Sequence, residues 1–348
     1  MEKKKLNAFD PGRRSFLGLS GLACLGTVAA ALPLVNSEST VFSGKEYKVS
    51  ATRLAMGTFV TMTAIHHSRN EAENAIGLAF EEITRLEGRL SRFEKNSALS
   101  ELNDRGNIEA KASPDLYDLV SRSVYYSHIT GGAFDITVKP LIDLFEKRFA
   151  AGKEPSRLEI GKAVGGTGME RIRFDNGNIL LNGQNMGITL DGIAKGYIVD
   201  CASRLLSQKG IHNHLIDAGG DIRTSGAASG NRPWTVALQD PDDKNGYRSI
   251  VEMRCGAVAT SGNYEVYYDE EKMFHHIVDG STGYSPRQFT SVTVKADTVM
   301  EADALSTSVF VMSPDDGIGL INRLPNCECY CIAGNDTNLK SAGWKIVG

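Results

Sequence analysis

Cysteine is scarce in this chain, with six among 348 residues, and no two of them stand in a CxxC spacing. Cys327, Cys329 and Cys331 alternate at period two with no histidine nearby, which argues against a zinc site at these cysteines. On a strand they would share one face, pair poorly with each other, and act as small buried hydrophobes. Positive charge is short as well. The net charge is −4, and no basic patch interleaved with aromatics occurs, which excludes nucleic acid as a partner. After residue 35 no apolar run could cross a bilayer, so a multi-span membrane protein is excluded. With 41% hydrophobic residues the chain is too apolar for a disordered protein and can bury a large core. The glycine-rich Gly165-Gly166-Thr167-Gly168 matches neither a Walker loop nor the dinucleotide fingerprint, and the charged stretch 146–178 around it reads as a connection.

What is present begins with an address. Gly12-Arg13-Arg14-Ser15-Phe16-Leu17 leads into an uncharged apolar run to Val35, the pattern of a twin-arginine export signal over residues 1–37. The first 37 residues carry five basic and two acidic side chains, which leaves 33 basic against 40 acidic beyond them. The expectation is an exported, periplasmic protein with one folded domain over residues 45–348. An uncleaved anchor, or lipidation at Cys24, is the alternative that would tie it to the inner membrane. Export puts the remaining five cysteines in an oxidising space.

Along the chain, residues 47–64 read as a strand interrupted at Met56-Gly57-Thr58. Ala72, Ala75, Ile76, Ala79, Ile83, Leu86 and Leu90 form the apolar stripe of a core-packing helix. Residues 90–103 read as polar turns. Ser113-Pro114 caps and opens a further helix, which paired glycines end at Gly131-Gly132. Residues 215–222 read as a strand broken by Gly219-Gly220, and strands follow at 234–238, 250–253 and 291–296. The many short strands and hairpin signals fit a mixed α+β fold, with antiparallel sheets packed by helices, better than a doubly wound parallel sheet.

Four places carry chemistry. After the Asp191-Gly192 turn, Lys195 falls in the first turn of a helix that stops near Gly210. A cation there has the wrong sign for the macrodipole unless an anion docks against it and the free amides, and glycines 192 and 196 allow close approach. The alternative is a solvated lysine. Asp303 and Thr307 stand at i and i+4, a carboxylate and a hydroxyl suited to a hard cation such as Mg²⁺; an ordinary helix is the alternative. Asp135, beside Phe134 in a glycine-rich turn, could meet a ligand or cap the next turn. His276 could serve as a general base or be a core histidine, and Asp221 is a second candidate base.

In order, Met56-Gly57-Thr58, Gly132-Ala133-Phe134-Asp135, Gly192-Ile193-Ala194-Lys195-Gly196, Asp217-Ala218-Gly219-Gly220-Asp221, Thr260-Ser261-Gly262, His276-Ile277 and Ala302-Asp303-Ala304-Leu305-Ser306-Thr307 resemble the FAD:protein FMN transferase family, the ApbE-like flavin transferases. Their order and spacing make the resemblance specific. It implies FAD as donor substrate, Mg²⁺ as cofactor, FMN moved to a threonine hydroxyl of a partner, and AMP as leaving group. The acceptors it implies are exported flavin-carrying subunits of respiratory or ion-pumping redox complexes. Met56, Phe93, Ala133, Phe134, Asp135, Lys195 and Ile277 would line the FAD site. Asp303 and Thr307 would hold Mg²⁺ with a carbonyl at Gly192 and with Ser306. It also implies a T-fold-like duplicated arrangement.

Three positions depart from the family pattern. Thr189-Leu190-Asp191-Gly192 stands where Asp-Leu-Gly-Ala is usual, so either Thr189 or Asp191 meets the flavin or its ribityl chain. Phe93 replaces a frequent tyrosine, keeping the ring and losing its hydroxyl. Ser306 replaces a frequent acid, which weakens the metal set. Competing readings are FAD hydrolysis to FMN and AMP, a non-catalytic exported flavin-binding protein, and a purely structural membrane-tethered protein.

Overall fold

The apolar stripe predicted after residue 69 forms α1 (Arg69–Leu90), with Ser68 capping it and the whole stripe buried. This is a computed structural model, describing residues 36–41, 46–105, 112–228, 230–243 and 246–345. The twin-arginine stretch and Cys24 lie outside the described residues. Among the described residues no helix is long and apolar enough to cross a membrane.

The helix packs on β2 (Tyr47–Ala55) and β3 (Thr58–His66), which are two strands and not one interrupted strand. Met56 and Gly57 form the two-residue turn between them, at φ 52° and 72°. Both central residues then have the positive φ of the turns that match strand twist. Gly219 and Gly220, at φ 66° and 94°, do the same between β6 (Asn213–Ala218) and β7 (Asp221–Ser225). In the sequence both turns looked like breaks in single strands.

With β1 (Asn36–Val41), β10 (Gly256–Gly262), β11 (Phe289–Ala296), β12 (Glu328–Ala333) and β13 (Asn338–Lys340), these strands make one antiparallel sheet. Its order is β1-β2-β3-β6-β7-β10-β11-β12-β13. β1 pairs with β2, so ordered structure starts ahead of the residue-45 boundary. A hairpin, two helices and a second hairpin occur twice over: β2–β3, α1 and α6 (Ala194–Gln208), β6–β7; then β10–β11, α7 (Val299–Val311) and α8 (Pro314–Ile321), β12–β13. This is the α+β, duplicated antiparallel arrangement that the sequence reading expected. The main core lies between the sheet and these helices, with Cys327, Cys329 and Cys331 buried in it as free thiols. The hairpin β8 (Trp234–Gln239) and β9 (Tyr247–Met253) packs Val236, Leu238 and Val251 against Ile222, Val258 and Ile332 of the sheet.

Two stretches differ from the sequence reading. Residues 98–105 are a helix, α2, whose Leu99 and Leu102 reach the core. After α3 (Pro114–Ile129), the stretch 139–181 is not a connection. It holds α4 (Lys139–Ala150), α5 (Arg157–Val164) and a hairpin of β4 (Ile172–Asp175) with β5 (Asn178–Leu181). Leu141, Phe145, Ile160 and Val278 give that region its own small core.

Candidate active site

The site gathers at one end of the large sheet. Register brings the Met56-Gly57 and Gly219-Gly220 turns together, since Val60 faces Ala218 across β3 and β6. The last residues of β10 end beside them, because Val258 already faces Ile222 on β7.

Helix α6 supplies the first wall. The segment leading into it is pinned from both sides. Asn103 brackets Ile188, donating to its carbonyl at 2.9 Å and accepting from its amide at 2.7 Å, and the Thr189 amide donates to the Ile136 carbonyl. Gly196 then crosses the start of α7 so closely that a Cβ on it would lie 2.6 Å from the Val299 carbonyl. Asp200, one turn on, accepts the Val299 and Met300 amides at 3.1 and 3.0 Å, satisfying two free donors of α7. This crossing aims the next turns of α7 at α6.

Asp303 consequently accepts the Gly196 amide at 3.1 Å. Thr307 comes up against Gly192, where a Cβ would stand 3.0 Å from its Oγ1. Asp303 is only 6% exposed. Burial raises its carboxyl well above the usual carboxylate range, and the Asp221 charge raises it further, against the pull of Lys195. Asp221, 1% exposed at the start of β7, holds Lys195 Nζ 3.2 Å from its Oδ2. Burial works against the Lys195 charge, but Asp221 and Asp303 outweigh it and raise the ammonium above its ordinary value. The anion expected beside Lys195 is thus already supplied by the protein. When both carboxyls are ionised, one lysine faces two buried negative charges, the condition in which a cation is wanted. Asp303, Thr307 and the uncluttered backbone at Gly192 form an all-oxygen set fit for a hard divalent ion. The Ser306 Oγ is already engaged, 2.8 Å from Ser261 Oγ and donating to the Asp303 carbonyl at 3.0 Å, and that same Ser261 Oγ lies 3.3 Å from Thr307 Oγ1.

His276 reaches the site from the loop before β11. Its Nδ1 lies 3.0 Å from the Val266 carbonyl, and a carbonyl only accepts, so the ring proton sits on Nδ1 and Nε2 keeps its lone pair. Burial lowers its pKa below the ordinary histidine value, with the charges of Asp191, Glu265 and Lys195 all acting on the ring. His275, next to it, is the core histidine. It is fully buried, bonded to the Pro286 carbonyl, and pushed by burial to about 4.

The flavin-contact candidates are spread more widely. Phe134 is buried edge-on to Tyr126, with its ring 3.5 Å from where a Gly192 Cβ would be. Asp135 accepts from the Thr137 amide at 2.7 Å, the capping role weighed above. Ala133, with Gly131, Gly132, Asp279, Val311 and Met312, lines a cavity of about 570 Å³. Thr189 is buried and accepts from the Asp191 amide, whereas the Asp191 carboxylate is taken by Arg92 Nε at 2.8 Å. Arg92 also reaches Glu146 at 2.9 Å and lies 4.2 Å over the ring of Phe93, which is 66% exposed. Ile277 belongs to the buried core. Met56 is partly buried in its turn and donates its amide to Glu87 at 2.9 Å. Sequence reasoning missed Arg92, Asp200, Glu87 and Asn103 altogether. Each acts on a partner 31 to 100 residues away, and no local pattern marks such a role.

Comparison with known proteins places the chain in a family. The ApbE family profile matches residues 56–331. The FAD:protein FMN transferase of Escherichia coli K12 is 30% identical over 312 residues, 85% of this chain and 88% of that protein. The Haemophilus influenzae protein of the same name is 28% identical over 265 residues, 72% of this chain and 76% of its own length. Among solved structures, the ApbE protein of Thermotoga maritima superposes with a TM-score of 0.78 at 29% identity, covering 88% of this chain and 97% of its own. The flavin transferase ApbE of Vibrio cholerae gives 0.71 at 25% identity, over 88% and 98%.

Proposed function

This chain belongs to the ApbE family, and on that footing we propose that it is an FAD:protein FMN transferase acting on exported acceptor proteins. The donor is FAD, the acceptor group is a threonine hydroxyl, and the leaving group is AMP. The observation that carries the reading is the convergence of Gly192, Lys195, Asp303 and Thr307 from two crossing helices onto one end of the sheet.

Transfer at a pyrophosphate forms a bond from the threonine oxygen to the FMN phosphorus and breaks that phosphorus's bond to the bridging oxygen, which leaves with AMP. Charge on the non-bridging oxygens has to be neutralised. Lys195 offers a permanent cation for this, held in place by Asp221. Asp303, Thr307 and the Gly192 backbone would hold Mg²⁺, which when bound withdraws further charge from the pyrophosphate. His276 Nε2, left with its lone pair by the Val266 contact, would take the hydroxyl proton. The 570 Å³ cavity at Ala133, lined by both apolar and polar groups, is space in which part of a flavin nucleotide can rest.

The twin-arginine pattern of residues 12–17 supports export to the periplasm, the compartment of the flavin-carrying redox subunits proposed as acceptors. The test is a mass spectrum of a threonine-bearing acceptor domain after incubation with the mature protein, FAD and Mg²⁺. A gain of one FMN unit less water, absent with Asp303→Ala, is expected. Free FMN and AMP with an unmodified acceptor would instead make the protein an FAD pyrophosphatase. Intact bound FAD would make it a flavin carrier.

A further inference from the structure

At the opposite end of β3 from the Met56-Gly57 turn, His66, His67 and Glu71 bring two imidazole nitrogens and a carboxylate oxygen within 4.8 Å of one another. On a straight strand His66 and His67 would point to opposite faces. The strand ends at His66, however, and Ser68 starts the cap of α1, so the two rings come to 4.0 Å between centroids at 42°. Two imidazoles that close repel each other when protonated and suit one another when both donate lone pairs to a common cation.

The three groups are not equally free. The His66 side chain is 10% exposed, and its Nδ1 lies 3.2 Å from both the Ser68 carbonyl and the Ser68 amide. Nδ1 either accepts from that amide, which puts the ring proton on Nε2, or donates to that carbonyl, which frees Nε2. A metal selects the second tautomer, in which the Nε2 lone pair faces Glu71, whose Oε2 is 4.0 Å away. A ring nitrogen anchored to a backbone carbonyl, with its other nitrogen turned to an acidic neighbour, is the usual arrangement of a metal-ligating histidine. Glu71, 62% exposed, and the exposed His67 can swing the remaining distance by side-chain rotation alone.

We propose that His66, His67 and Glu71 bind a borderline divalent transition-metal ion, of the Zn²⁺ or Cu²⁺ class, at a site separate from the Asp303 centre. Two nitrogens and one oxygen select such ions over Mg²⁺, which prefers an all-oxygen shell. β3 rises about 3.3 Å per residue, which sets its His66 end roughly 25 Å from its Thr58 end, so this ion does not touch the flavin site. Its effect is to clip the end of β3 to the first turn of α1.

The test is calorimetric titration of the mature full-length protein with Zn²⁺ in saturating Mg²⁺, repeated with Cu²⁺ and read by electron paramagnetic resonance. One Zn²⁺ per chain is expected to bind, with the Cu²⁺ spectrum showing coupling to two imidazole nitrogens. His67→Ala and Glu71→Gln, both at exposed positions, should each weaken Zn²⁺ by about tenfold or more, in line with loss of a ligand. Asp303→Ala should leave Zn²⁺ affinity unchanged. Zn²⁺ binding that survives His67→Ala, that is lost in Asp303→Ala, or that is absent from the wild type would overturn the site. Insensitivity to Glu71→Gln alone would overturn the three-ligand set.

Discussion

Lys195 Nζ stands 3.2 Å from Asp221 Oδ2, an ion pair that ties the first turn of α6 to the first residue of β7. Apart from Lys195, that oxygen has no donor among the described residues. Replacing Asp221 with Asn keeps the shape and takes from the lysine its direct ion-pair partner, leaving the more distant Asp303 charge. The expected cost is about 3 kcal/mol of unfolding free energy, as for other buried pairs broken on one side. Lys195→Met with Asp221→Asn should recover more than half of it. Urea unfolding of the two singles and the double decides the point, and strict additivity of the two losses would sink it.

Glycines 196 and 192 make a controlled comparison. A methyl at 196 meets backbone of α7, the Val299 carbonyl and Met300, at 2.6 to 2.7 Å, and backbone cannot step aside. The nearest atoms to a methyl at 192 are all side-chain atoms, Thr307 at 3.0 and 3.3 Å and the Phe134 ring at 3.5 Å. Gly196→Ala should therefore cost about 2–3 kcal/mol by overpacking, and Gly192→Ala less than about 1 kcal/mol. Equal melting temperatures for the two variants would contradict the crossing geometry.

Asp303 has the properties of a group waiting for a cation, and this has a consequence apart from activity. In the absence of divalent ions, Asp303→Asn should stabilise the protein by about 1 kcal/mol, a rise of roughly 2 °C in melting temperature, because the neutral amide escapes the penalty that burial and Asp221 place on the ionised carboxylate. With Mg²⁺ at a hundred times its dissociation constant the wild type should gain about 2.7 kcal/mol and the variant none. A variant that still responds to Mg²⁺ places the ion elsewhere.

With His276 as the proposed base, the acid limb of the pH profile should be its own. Its pKa is lowered by burial, so the neutral ring that can accept a proton dominates at neutral pH and is lost as pH falls through that lowered value. Transfer should accordingly fall off below the ordinary histidine value of about 6.5, and not above it. His276→Gln should remove that limb and slow transfer by about a hundredfold or more. An acid limb that persists in the variant would assign it to another group.

How much of this was readable beforehand depended on whether a feature was local. The α1 stripe and the Ser113-Pro114 cap were legible because period and cap chemistry act within one turn. The Met56-Gly57 hairpin was not, since methionine is a poor signal for a two-residue turn. Helix α2 brings just Leu99 and Leu102 to the core, too few for a period to show. Helix α5 could have been found, because Ser156 and Glu159 form a full capping box with the Ser-x-x-Glu spacing. The residue types of the site were visible, but their company was not. That Asp303 faces Gly196 and that Arg92 occupies Asp191 are facts about segments 107 and 99 residues apart.

The turn at Met56 shows where the fold gives up local comfort. Methionine adopts a left-handed backbone there, at φ 52°, although glycine would sit in the same place with less strain, even after the larger unfolded-state freedom that glycine has to give up. Glu87 holds its amide, so the strained conformer is enforced by tertiary structure and not by the turn itself. The rim of the site is therefore a place where the most stable sequence and the working sequence part ways. A library selected for thermal endurance alone would drift toward glycine at residue 56, and it would do so by discarding a side chain that packs against the core beside the proposed site.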